Sequence, residues 1–183
     1  MIKAFKISQL KNWRFKISQS IDKAIPFNDW YLGSLDEMQE VNDELFLYDV
    51  GNLSGEYWTS SEVDSSQAYS IDFESDQQNE TSKSEELKIR PVRHFTAEAG
   101  EYDLRDTGQS GGLIYHIDGT TYYECALEDL TQSEWSEILE EIGTTGTAIG
   151  TGKQNTLDII NQQPTPEPEG IGTMIIESTF IIS

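Results

Sequence analysis

Apolar positions in this chain follow two periods, and the switches between them mark the expected elements. Tyr69, Ile71 and Phe73 alternate with polar neighbours, as do Leu87 and Ile89 ahead of Pro91-Val92-Arg93 and Phe95. A period of two lines one face of a sheet, so both stretches are expected to be strands, joined by a long polar loop. Leu113 to Ile117 and Tyr122 to Ala126 read as two further strands. Asp118-Gly119 lies between them, and that dipeptide accepts the left-handed backbone of a tight hairpin. Leu35, Met38, Val41 and Leu45 fall instead at helical spacing, and Ser34 stands three residues before Glu37. A serine and a glutamate so placed satisfy each other's orphan amides, which predicts a helix over 34–46. The same pattern at Thr131 and Glu134, followed by Trp135, Ile138, Leu139 and Ile142, predicts a second helix ended by Gly143. A loop to Gly152 and a short third helix over 153–161 follow, with Leu157 and Ile160 expected to face the core.

The two ends read differently from the middle. Residues 1–25 hold a direct repeat, Phe5-Lys6-Ile7-Ser8-Gln9 and Phe15-Lys16-Ile17-Ser18-Gln19. Its alternation is strand-like, while Leu10, Trp13, Ile17 and Ile21 keep helical spacing. The reading favoured is an extended arm with a short helix near Ile17–Ile25. Residues 164–170 carry three prolines and two glutamates and are expected to be an extended spacer. Residues 171–183 contain the apolar segment Met174 to Ile182. Such a strand aggregates if left bare, so it is expected to pair on its own domain or on another subunit.

Composition narrows the class. A chain of 183 residues with 36% hydrophobic content suits one domain with arms. No apolar run approaches the roughly 20 residues of a membrane helix. Met1 to Ile25 spreads its charges and does not look like a signal peptide. The net charge of -21 argues against nucleic acid as a partner. It is unevenly placed: residues 1–16 hold Lys3, Lys6, Lys11, Arg14 and Lys16 and no acid. The acidic body can simply serve solubility, or the basic arm can dock an acidic neighbour, including another copy.

Catalytic signatures are weak. Cys125 has no partner for a disulfide and is expected to be a buried strand residue rather than a nucleophile beside His94 or His116. The loop Gly143 to Asn155 looks like a phosphate cradle, but Thr147 stands where its first glycine is required and Gln154 follows Lys153. No spacing singles out a carboxylate pair for glycoside hydrolysis. A calcium ion, if any, would draw on Glu62, Asp64, Asp72, Asp76 and Glu80. The better candidates for contact are the short polar groups between the strands: Ser65, Ser66, Gln67, Asp76, Gln77, Gln78 and Asn79.

A family resemblance joins these pieces. Trp30 to Ser34 with Asp36-Glu37, Tyr57 to Glu62, Ala68-Tyr69 with Asp72-Phe73, and Arg90-Pro91-Val92-Arg93 with Phe95 resemble the C-terminal domain family of the Legionella collagen-like adhesin. That resemblance implies an α+β, C-type-lectin-like fold found in bacterial surface proteins and phage virion proteins, with recognition rather than catalysis as its work. Trp58, Ser60, Ser61, Glu62, Arg90 and Arg93 would be structural, the arginines pairing with acids such as Glu62 or Asp72. Gly33 stands where the family has proline, so a looser turn is expected there. Asp106-Thr107-Gly108, Gly111 to Tyr115, Ile117-Asp118-Gly119, Glu128-Asp129-Leu130 before Trp135, and Ile149 to Gly152 with Asn155-Thr156 resemble the family's opening part. The closing half (26–95) thus precedes the opening half (107–163), with 96–106 as a linker. Three arrangements are open: a circular permutant closed within one domain (26–163), two incomplete copies, or completion between chains. The permutant is favoured, because neither half alone has much core. The expected roles are a non-enzymatic virion component assembling with its own copies and other virion proteins, or an adhesin at the particle or bacterial surface gripping a host glycan or protein.

Overall fold

A computed structural model describes residues 27, 29–136 and 138–162. The readings made for residues 1–25, 164–170 and 171–183 lie outside this range. Within it the chain is a mixed α+β structure of two antiparallel-rich sheets and two α-helices. The strands are β1 (Tyr31–Leu32), β2 (Glu56–Glu62), β3 (Gln67–Asp72), β4 (Gln77–Ser82), β5 (Leu87–Ile89), β6 (Pro91–Thr96), β7 (Leu113–Asp118), β8 (Thr121–Cys125) and β9 (Leu130–Ser133). The helices are α1 (Leu35–Glu44) and α2 (Gly152–Gln162). One sheet runs β1-β6-β8-β7 and the other β4-β3-β2-β5-β9.

Local signals explain much of this. Ser34 Oγ accepts from the Glu37 amide and the Glu37 carboxylate accepts from the Ser34 amide, so the capping box closes as expected. Met38, Val41 and Leu45 are fully buried against Tyr57 and Ile71 of the five-stranded sheet and Phe73 just after β3. The other side of that sheet carries Trp58 and Ala68, packed with Leu32, Ile89, Leu130, Trp135 and Ile159. The Asp118-Gly119 hairpin forms, with Asp118 opposite Thr121 and Gly119 at φ 61°.

The segments on either side of residues 96–106 are interleaved. β6 pairs with β8 from Val92–Cys125 to Thr96–Thr121, and β5 pairs with β9. Two tryptophans tie the same segments reciprocally: Trp58 Nε1 donates to the Ser133 carbonyl at 2.9 Å, and Trp135 Nε1 to the Thr59 carbonyl at 2.7 Å. The connecting residues are themselves anchored. Tyr122 Oη accepts from the Gly100 amide and donates to the Glu98 carbonyl, and Arg105 and Asp106 bond to Ile114 on β7.

Several expectations are corrected. The second helix does not form: Leu130–Ser133 is a strand, because Leu130 and Ser133 pair with Ile89 and Leu87. The chain beyond it is held by the Trp135 amide on the Lys83 carbonyl and by Glu62, whose carboxylate accepts from the Ile142 and Gly143 amides. Tertiary partners thus take the amides that a helix would have used. The polar loop after Phe73 contains β4, paired with β3 at all six positions. On α2, Leu157 is 45% exposed, and Ile159 rather than Leu157 enters the core. Gly33 is tightly enclosed rather than loose: a Cβ there would lie 3.1 Å from Met38 Sδ, and its carbonyl accepts from the Ser60 amide.

Candidate functional site

The contact residues expected from the sequence all lie on the β3–β4 hairpin and its turns, but not in one place. Ser65, Ser66 and Gln67 occupy the turn before β3. There Asp64 Oδ1 accepts from the Ser66 amide, the Ser66 hydroxyl and the Gln67 amide. Those donors hold the Asp64 carboxyl below its usual value. Asp76 and Gln77 occupy the opposite end, where Gln77 pairs with Asp72. The six residues of β3 separate the two ends, about 17 Å from first to last at the rise of an extended chain.

The Asp76 end is the more elaborate. Asp76 holds a left-handed backbone at φ 54°, and its Oδ1 accepts from Gln39 Nε2 at 2.9 Å and Asn42 Nδ2 at 2.7 Å. Gln78 Nε2 donates to Gln39 Oε1 at 3.0 Å. Helix α1 and the hairpin tip therefore share one surface of amides and carboxylates. Gln39 belongs to it, and the fully buried Asn42 holds Asp76 in place; sequence reasoning missed both because the helix was read for its apolar residues alone. Asn79 turns the other way: its Nδ2 donates to Glu56 Oε1, which also accepts from Ser70 Oγ.

Trp58, Ser60 and Ser61 are fully buried. The arginines do not pair with Glu62 or Asp72. Arg90 Nε donates to Asp129 Oδ1 at 2.7 Å, and its other nitrogens reach the carbonyls of Gly51, Asn52 and Ala126. Arg93 makes a two-nitrogen fork with Asp29 and a 3.0 Å bond to Glu124 Oε2. Glu62 takes the buried ammonium of Lys83 at 2.5 Å.

Both glycine-rich stretches close on internal carboxylates. The Ser110 and Gly112 amides donate to Glu124, and a Cβ at Gly112 would sit 2.3 Å from the Cys125 carbonyl oxygen. The loop that looked like a phosphate cradle gives its Gly143 amide to Glu62 and its Gly150 amide to Glu37. Two of its amides are thus taken by carboxyl groups of the chain itself. Burial raises the Glu37 carboxyl above its usual value, against the pull of those donors. Cys125 is buried, and burial pushes its thiol up to about 12, far from the range of a reactive thiolate.

The five acids considered for calcium are dispersed: Glu62 is inside, Asp64 and Asp76 serve opposite turns, Asp72 accepts from Ser75, and Glu80 lies on β4. Among the described residues no group of three or more His, Cys, Asp or Glu is arranged to hold a metal. Among them, too, no helix is long and apolar enough to cross a membrane.

Comparison with family models, curated proteins and solved structures found no match.

Proposed function

We propose that this chain is a non-enzymatic structural component of a phage virion. It would be built on a circularly permuted C-type-lectin-like domain and assemble through its terminal arms. The observation that carries the reading is the interleaving of the two segments. Residues 26–95 resemble the closing half of the family and 107–163 its opening half. A permutant requires their strands to pair within one chain, as β6 does with β8 and β5 with β9. Holding rather than turning over is supported by the fate of the reactive groups: loop amides are spent on internal carboxylates and the one thiol is sealed. Immunogold labelling and mass spectrometry of purified particles test the role. The expected result is labelling of intact particles. Absence of the chain from particles that carry their other structural proteins would overturn it.

A second reading, a receptor-binding adhesin, is favoured by the Gln39–Asp76–Gln78 surface, with the buried Asn42 holding Asp76. Its mixture of amide donors and carboxylate acceptors suits sugar hydroxyls or a polar protein epitope. A glycan array with the full chain, repeated with Gln78→Ala and Gln67→Ala, tests it. Binding lost with Gln78→Ala alone would place the contact at the Asp76 end. No binding, or binding indifferent to both changes, would remove the reading.

A further inference from the structure

We infer that the outer edge of β4 receives the basic N-terminal arm of a neighbouring copy, which adds a strand to the five-stranded sheet. This rests on the reading of the terminal arms as assembly elements. β4 is the end strand of that sheet, and among the described residues its outer side has no strand partner. An unpaired strand edge presents a row of amides and carbonyls that template another strand. β4 does not shield itself with lysine or proline. Gln77, Gln78, Glu80 and Ser82 are exposed along it, with Glu74 and Asp76 in the adjoining turn.

Charge selects the occupant. Residues 27–162 contain 29 acidic and six basic side chains. Five of those six bases lie against carboxylates: Lys83 on Glu62, Lys88 and Arg90 on Asp129, Arg93 on Asp29 and Glu124, Arg105 on Glu44. The body therefore has a large anionic excess and attracts a cation-rich segment. Residues 1–26 supply one, with six basic side chains against the single acid Asp22. A second β4 is the wrong partner, since it brings no cation to Glu74, Asp76 and Glu80. The repeated Phe-Lys-Ile-Ser-Gln alternates as a strand does, and it can place Lys6 or Lys16 opposite Glu80, a favourable cross-strand pair.

The arm is rooted on a different sheet from β4. Phe27 lies against Arg93 of β6 in the four-stranded sheet, with 4.3 Å from the guanidinium carbon to the ring centre, while β4 ends the other sheet. A donor patch and an acceptor patch at different places make a head-to-tail contact, which propagates into a ring or a filament.

Sedimentation equilibrium of the full chain at low and high salt tests this, with circular dichroism confirming that each variant is folded. The wild type is expected to associate at low salt and to loosen as salt is raised. E80K, and separately K6E/K16E, each weaken association about tenfold, and combining all three changes restores it to within about threefold. A monomeric wild type, an E80K chain that associates like wild type, or a combined variant as weak as either parent would each overturn the docking. A chain found on particles whose E80K form still associates normally would lose this contact and keep the structural role.

Discussion

β2 and β4 belong to the same sheet and are built from similar residues, yet they do opposite things. Thr59, Ser60 and Ser61 of β2 are fully buried, and each hydroxyl has a partner: the Tyr69 carbonyl for Thr59, Asn155 for Ser60, the Gly146 carbonyl for Ser61. Asn79, Thr81 and Ser82 of β4 lie at the rim, between half-buried and exposed. β2 is covered on both faces by apolar clusters, and its polar groups specify how the loops close over it. β4 is paired on one edge only, and its polar groups make local bonds near the surface, Gln78 to Gln39, Asn79 to Glu56 and Thr81 to Ser70. Polarity alone does not mark a surface; the strand's place in the sheet order does.

The largest expected break in that contrast is at Glu62. Glu62→Ala leaves the Lys83 ammonium buried without its counter-charge and frees the Ile142 and Gly143 amides. A loss of about 3–5 kcal/mol in urea unfolding is expected. Gly112→Ala forces a methyl into the Cys125 carbonyl oxygen, in a segment that cannot shift without releasing Glu124. Its expected cost is about 1–3 kcal/mol by the same measurement.

A smaller effect is expected from pH at His94. Burial penalises its charged ring and Lys153 adds repulsion, so its folded value lies below the ordinary 6.5. The folded chain then binds that proton less readily than the unfolded chain. Stability from this group is present above 6.5 and is lost as pH falls through the folded value. Glu37 acts oppositely, its raised value giving stability that is lost as pH rises above 4.5. The wild-type Tm minus that of His94→Gln should therefore fall between pH 8 and pH 5, which isolates the histidine. The smallest effect belongs to β4: Gln78→Thr should change stability by no more than about 0.5 kcal/mol. A larger loss in urea unfolding would mean that β4 supports the fold rather than lying at its margin.

Elements announced by local chemistry were legible in the sequence. α1 followed from Ser34 and Glu37, the β7–β8 hairpin from Asp118-Gly119, and β3, β5 and β6 from their alternation. β4 was not legible, because Gln77–Ser82 has no apolar alternation and is a strand only through its pairing with β3. Thr131 and Glu134 matched a helix start, but the pairing of Leu130 and Ser133 with β5 prevailed. The partners of Arg90 and Arg93 were missed for a related reason: Asp129 and Glu124 are distant in sequence and near only after β8 closes on β6. Of the contact residues, Asp76 and Gln78 bond to α1 while Ser66 and Gln67 bond to Asp64, a division no linear reading contains.

Native-state hydrogen exchange on the full chain, followed residue by residue, tests the interleaving most directly. Amides of β2, β5 and β6 from the first segment and of β8 and β9 from the second should open together, at a free energy near that of global unfolding. Separate opening of residues 29–96 and 113–162, each with its own free energy, would contradict it.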